Sequence, residues 1–544
     1  MTPATTTTRL GLGPLALLLL ALALSLPVLS VLGSWLQWTS QTADLLREMA
    51  RTVLPDYART SLLLCLLVAV GVTLLGLGAA VAVSLFDFRG RASFEWLLLL
   101  PLAMPAYVVA YAYTDFLQFS GPLQQALREA FGWRGALWPD VRSVWGAALV
   151  FTLTLYPYVY LLARTALLER AGGLMEAARL LGASWPRRLR EVALPLARPA
   201  VAAGVALALM ETLADFGVSS YFGIQTFTAG IYKAWLAMDE RVLAAQLATV
   251  LLLWVGLLLW LEQRAQRRLR FAPARLDRQG SADAQPLRLQ GGAQALAWAL
   301  CALPVLLGFV LPVLILLQSL TASEVAQPWD RFGQWAWHSL RLGGLTALLA
   351  VAVALALAFT QRQQPTALGR GVTQLVGVGY AIPGAVVVVG LLLPVAWLQQ
   401  LWPASAAAAW ITATSLGLVW AYLVRFGAVA LQSVHSGYAR LAPSLDDASR
   451  MLGVTGWGLL RQVHLPLLRR TLVAALLLVF VDVMKELPAT LVLRPFNSDT
   501  LAVVAYQLAR DERLGEAALP SLALVLVGLI PVVLLSRTLR QDRA

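Results

Sequence analysis

Leucine, alanine and valine run through this 544-residue chain in long blocks separated by short polar stretches. A block of about 20 apolar residues matches the roughly 30 Å of hydrocarbon that a helix must cross. Twelve such spans are predicted, near residues 10–32, 61–85, 94–117, 144–168, 196–222, 243–262, 295–320, 338–359, 371–398, 405–431, 467–493 and 518–537. In a bilayer a single segment satisfies its own backbone only as a helix. The pattern therefore predicts an all-α polytopic membrane protein. The first block is longer than the roughly 7–15 apolar residues of a signal peptide, so it is read as a retained helix.

One polar interruption is unusual. The stretch "EAARLLGASWPRRLREVALP" (176–195) is too charged to lie in a bilayer, and its spacing returns half a chain later. Glu176-Ala177-Ala178, Gly182, Val192 and Leu194-Pro195 recur as Asp447-Ala448-Ser449, Gly453, Val463 and Leu465-Pro466, each 271 residues on. Arg179 matches Arg450 and Arg190 matches Arg461. At similar offsets Ser61 pairs with Ser339, Pro105 with Pro383, Glu211 with Asp482 and Asp215 with Glu486. Six spans per copy is an even number, so the copies are parallel repeats about an axis along the membrane normal. The predicted organisation is a first half over 1–262, a polar linker over 263–292 and a second half over 293–544. Within each copy of the polar stretch the residues predict a helix–turn–helix. Gly182 ends the first helix, Ser184 caps the second with Pro186 in its first turn, and Pro195 closes it. An interfacial lipid-binding hairpin would need an apolar face and basic flanks, not a Gly and a Leu-Pro at fixed distances.

Charge refines the topology. Only 13% of residues are charged and 59% are hydrophobic, while the net charge is +13. With the N-terminus in the cytosol, the loops on that side hold roughly twice as many Lys and Arg as the opposite loops, the positive-inside bias. The densest group, Arg264, Arg267, Arg268, Arg270, Arg275, Arg278 and Arg288, falls in or beside the linker. Both termini are thus expected in the cytosol, and the excess charge is topological, not a nucleic-acid surface. Two cysteines (Cys65, Cys301) and three histidines (His338, His435, His464) build no zinc, haem or iron–sulfur spacing. The two lysines, Lys233 and Lys485, lie outside any G-x-x-x-x-G-K-[ST] loop. No cofactor, no tightly bound metal and no catalytic set is expected; if ATP drives this protein, another chain binds it.

The duplicated stretch resembles E-A-A-x3-G-x9-I-x-L-P, the coupling-loop signature of bacterial ABC importer permeases, with Val for Ile in both copies. The resemblance implies the type I importer permease fold and a place in the bacterial inner membrane. It assigns Glu176, Ala177, Ala178, Gly182, Leu194 and Pro195, with Asp447, Ala448, Ser449, Gly453, Leu465 and Pro466, to contact with a cytosolic ATPase. Two copies imply two ATPase subunits. Three segments, "PLAMPAYVVAYAYTDFLQFSGPLQ" (101–124), "METLADFGVSSYFGIQTFTAGIYKAW" (210–235) and "KELPATLVLRPFNSDTLAVVAYQLA" (485–509), resemble the fused permeases of ferric-iron importers. That resemblance implies a periplasmic ferric-ion-binding protein as a further partner. Permeases for thiamine, polyamines, phosphonates and sulfate share the loop.

Substrate chemistry gives a separate line. Glu211 and Asp215, and likewise Asp482 and Glu486, are four apart, which on a helix is one face. Carboxylates in a membrane normally face a water-filled path or a polar partner. Four of them, with Tyr221, Tyr232 and Tyr506 near by, suit a hard cation such as Fe³⁺. The competing expectation is plain helix-to-helix contact, including an Asp482–Lys485 pair. A twelve-helix secondary transporter also has parallel six-helix repeats, and "DFRGR" (87–91) faintly echoes its loop, but that fold gives no reason to repeat the Leu-Pro-ended hairpin.

Overall fold

Proline and carboxylate side chains, more than hydropathy, decide where the helices of this chain begin and stop. The computed structural model describes residues 13–36, 40–168, 172–270, 287–322, 327–403 and 406–541. Of the expected linker, 271–286 lie outside the described residues, as do the first twelve and last three residues of the chain. Among the described residues ten helices are long and apolar enough to cross a membrane. An eleventh candidate is a pair, Arg91–Ala103 and Ala106–Phe131, bent by 88°. The expected span at 467–493 is occupied by the helix Leu465–Lys485. It carries Arg469, Arg470, Asp482 and Lys485. Among the described residues the one departure from helix and loop is a two-residue parallel bridge, Phe86–Asp87 with Leu287–Arg288.

Four spans expected as continuous are broken, and each break has a local cause. A residue before proline is pushed out of the helical region by the proline ring. Met104 (ψ 120°) precedes Pro105, and Ile382 (ψ 119°) precedes Pro383. These turns interrupt the expected spans 94–117 and 371–398 at matching places in the two repeats. The spans 196–222 and 467–493 break at Asp215 (ψ 133°) and Glu486 (ψ 124°), where a carboxylate starts a new short helix.

The described chain groups into two compact units whose bounds differ from the halves of the sequence repeat. One comprises Met1–Trp38 with Trp329–Val503, the other Thr39–Pro328 with Val504–Ala544. In the first, the helix Pro14–Gly33 lies on Gly384–Leu401. Contact is so close that a Cβ on Gly390 would meet the Pro27 carbonyl oxygen at 2.0 Å. Small residues permit such approach where lipid gives helices no hydrophobic reason to associate. Trp420 Nε1 donates to the Ala23 carbonyl at 2.8 Å, and Leu357, Leu391, Leu418, Tyr422, Val434 and Val479 fill the core. In the second unit, the helix Leu54–Leu85 packs on Val144–Ala166. A Cβ on Gly76 would meet that of Val159 at 2.7 Å. Tyr156 and Tyr160 donate to the Leu98 and Glu95 carbonyls, both at 3.0 Å, satisfying a backbone freed by the irregular segment.

Candidate functional site

The two polar stretches fold alike. In the first, the helix Gly172–Leu180 carries Glu176, Ala177 and Ala178 and ends at Gly182 with φ +80°. In the second, Ser444–Met451 carries Asp447, Ala448 and Ser449 and ends at Gly453, also at φ +80°. The left-handed residue closes a Schellman turn in each. Gly182 N–H donates to the Arg179 carbonyl at 3.0 Å and Ala183 N–H to that of Ala178 at 3.0 Å. The counterparts are Gly453 to Arg450 at 3.0 Å and Val454 to Ser449 at 2.9 Å. Glu176 pairs with Arg179 at 3.8 Å and Asp447 with Arg450 at 3.2 Å.

Beyond the turn, the chain departs from expectation at one point. Ser184 stands at the N-cap position of Trp185–Arg188 with Pro186 in the first turn, although its hydroxyl makes no capping bond. Pro195 does not close that helix. A π turn, Leu189–Ala193, runs straight into Leu194–Ala214, and Leu460–His464 does the same into Leu465–Lys485. A π turn shifts the hydrogen-bond register by one residue, which accommodates the donor that Pro195 or Pro466 lacks. The second short helix of each loop is thereby continuous with a long helix. At the tips, Leu180 and Leu181 are 85% and 88% exposed, and Met451 and Leu452 are 87% and 82% exposed. Apolar side chains this open, repeated at equivalent positions, mark a contact surface.

The roots of the loops differ. Asp446, buried under the second loop, accepts from Arg362 Nε at 2.8 Å and Nη2 at 3.0 Å, and contacts His464 Nε2 at 3.2 Å. His464 Nδ1 reaches the Tyr438 hydroxyl at 3.2 Å. Arg362 also donates to the carbonyls of Tyr438, Leu441 and Ala442 at 3.1–3.3 Å. Burial by itself pushes the Asp446 carboxyl up, but the hydrogen bonds from Arg362 and His464 hold it below its usual value. In the first copy the positions of Asp446, Tyr438 and His464 are taken by Met175, Leu167 and Ala193, all buried. At the offset of 278 that relates Ser61 to Ser339 and Pro105 to Pro383, the position of Arg362 is taken by the buried Ser84.

The four intramembrane carboxylates do not form two helix-face pairs. Glu211 lies within Leu194–Ala214 and Asp482 within Leu465–Lys485, but Asp215 and Glu486 stand just past those helices in extended backbone. The physical reason is capping. Asp215 accepts from the N–H groups of Val218 at 2.8 Å and Ser219 at 3.4 Å, opening the helix Gly217–Tyr221. Glu486 accepts from Ala489 at 2.9 Å and Thr490 at 3.0 Å, opening Pro488–Leu493. Glu486 is further bound by Arg425 Nη1 at 2.9 Å. The position 271 residues before Arg425 is Thr154, which donates only to carbonyls of its own helix. Asp482 lies within electrostatic reach of Lys485. Tyr221 packs edge-on against Tyr111, ring centroids 4.7 Å apart, with the Arg142 guanidinium 5.2 Å from its ring. Tyr506 shares a 2.7 Å hydrogen bond with Ser220, and Tyr232 packs on Phe216. Among the described residues no group of three or more His, Cys, Asp or Glu could hold a metal ion.

Sequence reasoning passes over Arg362, Asp446, His464 and Arg425, and also the buried Glu95–Arg164 pair at 3.3 Å. A signal exists for three of these residues. Glu95, Arg164 and Arg425 are charges inside predicted spans, and such charges need partners.

Residues 72–270 and 350–541 match the family described as the binding-protein-dependent transport system inner membrane component. The chain is 26% identical over 494 residues to a Fe(3+)-transport system permease of Haemophilus influenzae, covering 90% of each protein. A putative 2-aminoethylphosphonate transport system permease of Salmonella paratyphi A is 29% identical over 199 residues, 37% of this chain and 72% of that protein. A molybdenum transport system permease of Haemophilus influenzae is 29% identical over 194 residues, 34% of this chain and 82% of its own length.

Proposed function

The chain belongs to the binding-protein-dependent transport system inner membrane components, and from that premise we propose that it carries ferric iron inward, driven by two cytosolic ATPase subunits. It is a multi-pass inner-membrane permease of an ABC importer, a transport component and not a catalytic enzyme. The family works with a substrate-binding protein and an ATPase; the copy number of the ATPase and the ferric cargo are the proposal's own.

The observation that carries the two-subunit reading is the pair of matching Schellman turns, each with an exposed apolar pair at its tip. A surface repeated by duplication suits a partner that is itself present twice. Each turn sits on a helix that continues through a π turn into the membrane, so a push on the loop reaches the membrane without a hinge. Glu176, Ala177, Ala178, Leu194 and Pro195, and their counterparts Asp447, Ala448, Ser449, Leu465 and Pro466, would line the contacts. On this reading the loops and both termini face the cytosol.

Ferric iron is favoured because the Fe(3+)-transport relative aligns over 90% of both chains, whereas the phosphonate and molybdenum relatives align over about a third of this one. Glu211 and Asp215 supply hard oxygen ligands for a trivalent cation, with Tyr221 near by; Asp482 and Glu486 are the corresponding pair. The second reading is an oxyanion such as a phosphonate, favoured by Arg425 and Lys485 in the latter pair's surroundings. Reconstitution with the ATPase and a ferric-loaded periplasmic binding protein tests the choice. ATP-dependent accumulation of radiolabelled iron is expected. Accumulation of a phosphonate but never iron would reject the ferric assignment.

A further inference from the structure

At the end of the first unit opposite its coupling loop lies a cavity of about 290 Å³. Arg341 and His338 are three residues apart on the helix Trp329–Gln363 and both line it. Facing them are Thr414 and Ser415, at the start of the helix Leu416–Tyr438, with Leu345 and Leu418 as apolar wall. Arg341 stands 21 residues before Arg362, which is about 32 Å along a helix. That is the thickness of the hydrocarbon layer, so Arg341 sits at the far headgroup level. Trp337, 64% exposed, marks the same interface.

The electrostatics of the cavity are one-sided. Among the described residues no acidic side chain makes an ion pair with Arg341. The nearby Asp499 carboxylate is taken up by Arg494. Its backbone carbonyl lies 3.3 Å from His338 Nδ1 and fixes the imidazole. The first-turn amides of a 23-residue helix add partial positive charge where Ser415, at the N-cap, makes no side-chain capping bond. The Thr414 hydroxyl is engaged with the Trp410 carbonyl and the Leu416 N–H. The Arg341 guanidinium fork, the Ser415 hydroxyl and the helix start, with the His338 imidazole beside them, are therefore what match a phosphate group. Below them, Leu345 and Leu348 are 44% and 61% exposed along the outer face of the same helix, in line for an acyl chain.

This device belongs to one repeat only. Ser339 accepts from Leu501 N–H at 2.9 Å, and its counterpart Ser61 accepts from Phe227 N–H at 3.3 Å, so the registers match. In that register His338 and Arg341 correspond to Thr60 and Leu63. Fold maintenance therefore does not demand an imidazole and a guanidinium at these two positions.

We propose that this cavity is a binding site for a phosphate-type anion, presented as the headgroup of an anionic phospholipid or as a free phosphate. The site is independent of the transported cargo. The test uses the full-length chain in detergent, stripped of lipid, with wild type compared with Arg341→Gln, Arg341→Lys and His338→Ala/Arg341→Gln. Phosphatidylglycerol binding is counted by native mass spectrometry and inorganic phosphate binding by calorimetry. Charge-assisted hydrogen bonds of this kind are worth about 10- to 100-fold in affinity. Arg341→Gln should lose that factor for whichever source occupies the site, and Arg341→Lys should lose less. Loss with the lipid alone assigns a headgroup, and loss with phosphate assigns a soluble anion. Unchanged melting of the variants separates binding from folding. Equal binding of both probes by wild type and the double variant, or no binding of either by wild type, overturns the proposal.

Discussion

The loop at 176–195 is rooted among buried apolar residues, Met175, Leu167 and Ala193, whereas the loop at 447–466 is rooted in a buried ionic network of Asp446, Arg362, His464 and Tyr438. Their outer faces are nevertheless the same, down to a glycine at φ +80° and two exposed apolar side chains. Duplication has kept the exposed face of the loop and let the anchorage diverge. The two anchors also differ in how they fail. Apolar packing tolerates swaps of similar volume at under about 1.5 kcal/mol. An ion pair that loses one member leaves a buried charge without compensation, at about 3–5 kcal/mol.

The largest expected effect comes from that contrast. Asp446→Ala strands Arg362 and should destabilise the second loop by about 3–5 kcal/mol, while Met175→Leu should cost under about 1.5 kcal/mol. Amide exchange at 444–454 and at 172–183 checks this. Protection should fall only in the second loop for the first variant, and equal losses in both loops would erase the distinction.

The same contrast holds at the carboxylates. Arg425→Gln leaves Glu486 buried beside two backbone donors and should lower thermal stability by about 3 kcal/mol. Asp215→Asn keeps a good capping residue and should cost under about 1 kcal/mol. If Asp215 also lines the path, that mild variant should abolish iron uptake in membranes that hold normal amounts of protein. Full uptake at normal abundance would remove Asp215 from the pathway.

The exposed ion pairs give the smallest effects. Arg179→Ala and Arg450→Ala each remove a solvent-exposed partner and should cost under about 1 kcal/mol. Arg450 should be the costlier, because it also donates to Gln363 at 2.8 Å. A larger loss at Arg179 would show that the first loop has an anchor besides its apolar one.

Much of this is legible in the chain. Spans come from apolar length, and the repeat comes from identical spacing. The turn comes from a glycine that no other residue replaces cheaply in left-handed backbone. The breaks in the spans are less visible. Pro105 and Pro383 are matching landmarks in the sequence, yet the bend depends on the residue ahead of each. Asp215 and Glu486 read as helix-face partners of Glu211 and Asp482 because spacing alone cannot tell a helical carboxylate from one that caps the next helix. Pairing at long range leaves no local trace: Arg425 and Glu486 are 61 residues apart, and Arg362 and Asp446 are 84 apart. Asp446 stands one place before the signature position of Asp447, and only its burial separates the anchor from the exposed residue proposed for docking.

The claim that the two loops are two equivalent docking sites is tested most directly by counting subunits. Leu180→Glu/Leu181→Glu and Met451→Glu/Leu452→Glu place charge on one apolar tip at a time, leaving turn and anchor untouched. Native mass spectrometry of the purified complex should give two ATPase subunits per wild-type chain, one for either single-loop variant and none when both loops are altered. A wild-type ratio of one, or a ratio of two that survives either substitution, would contradict the claim.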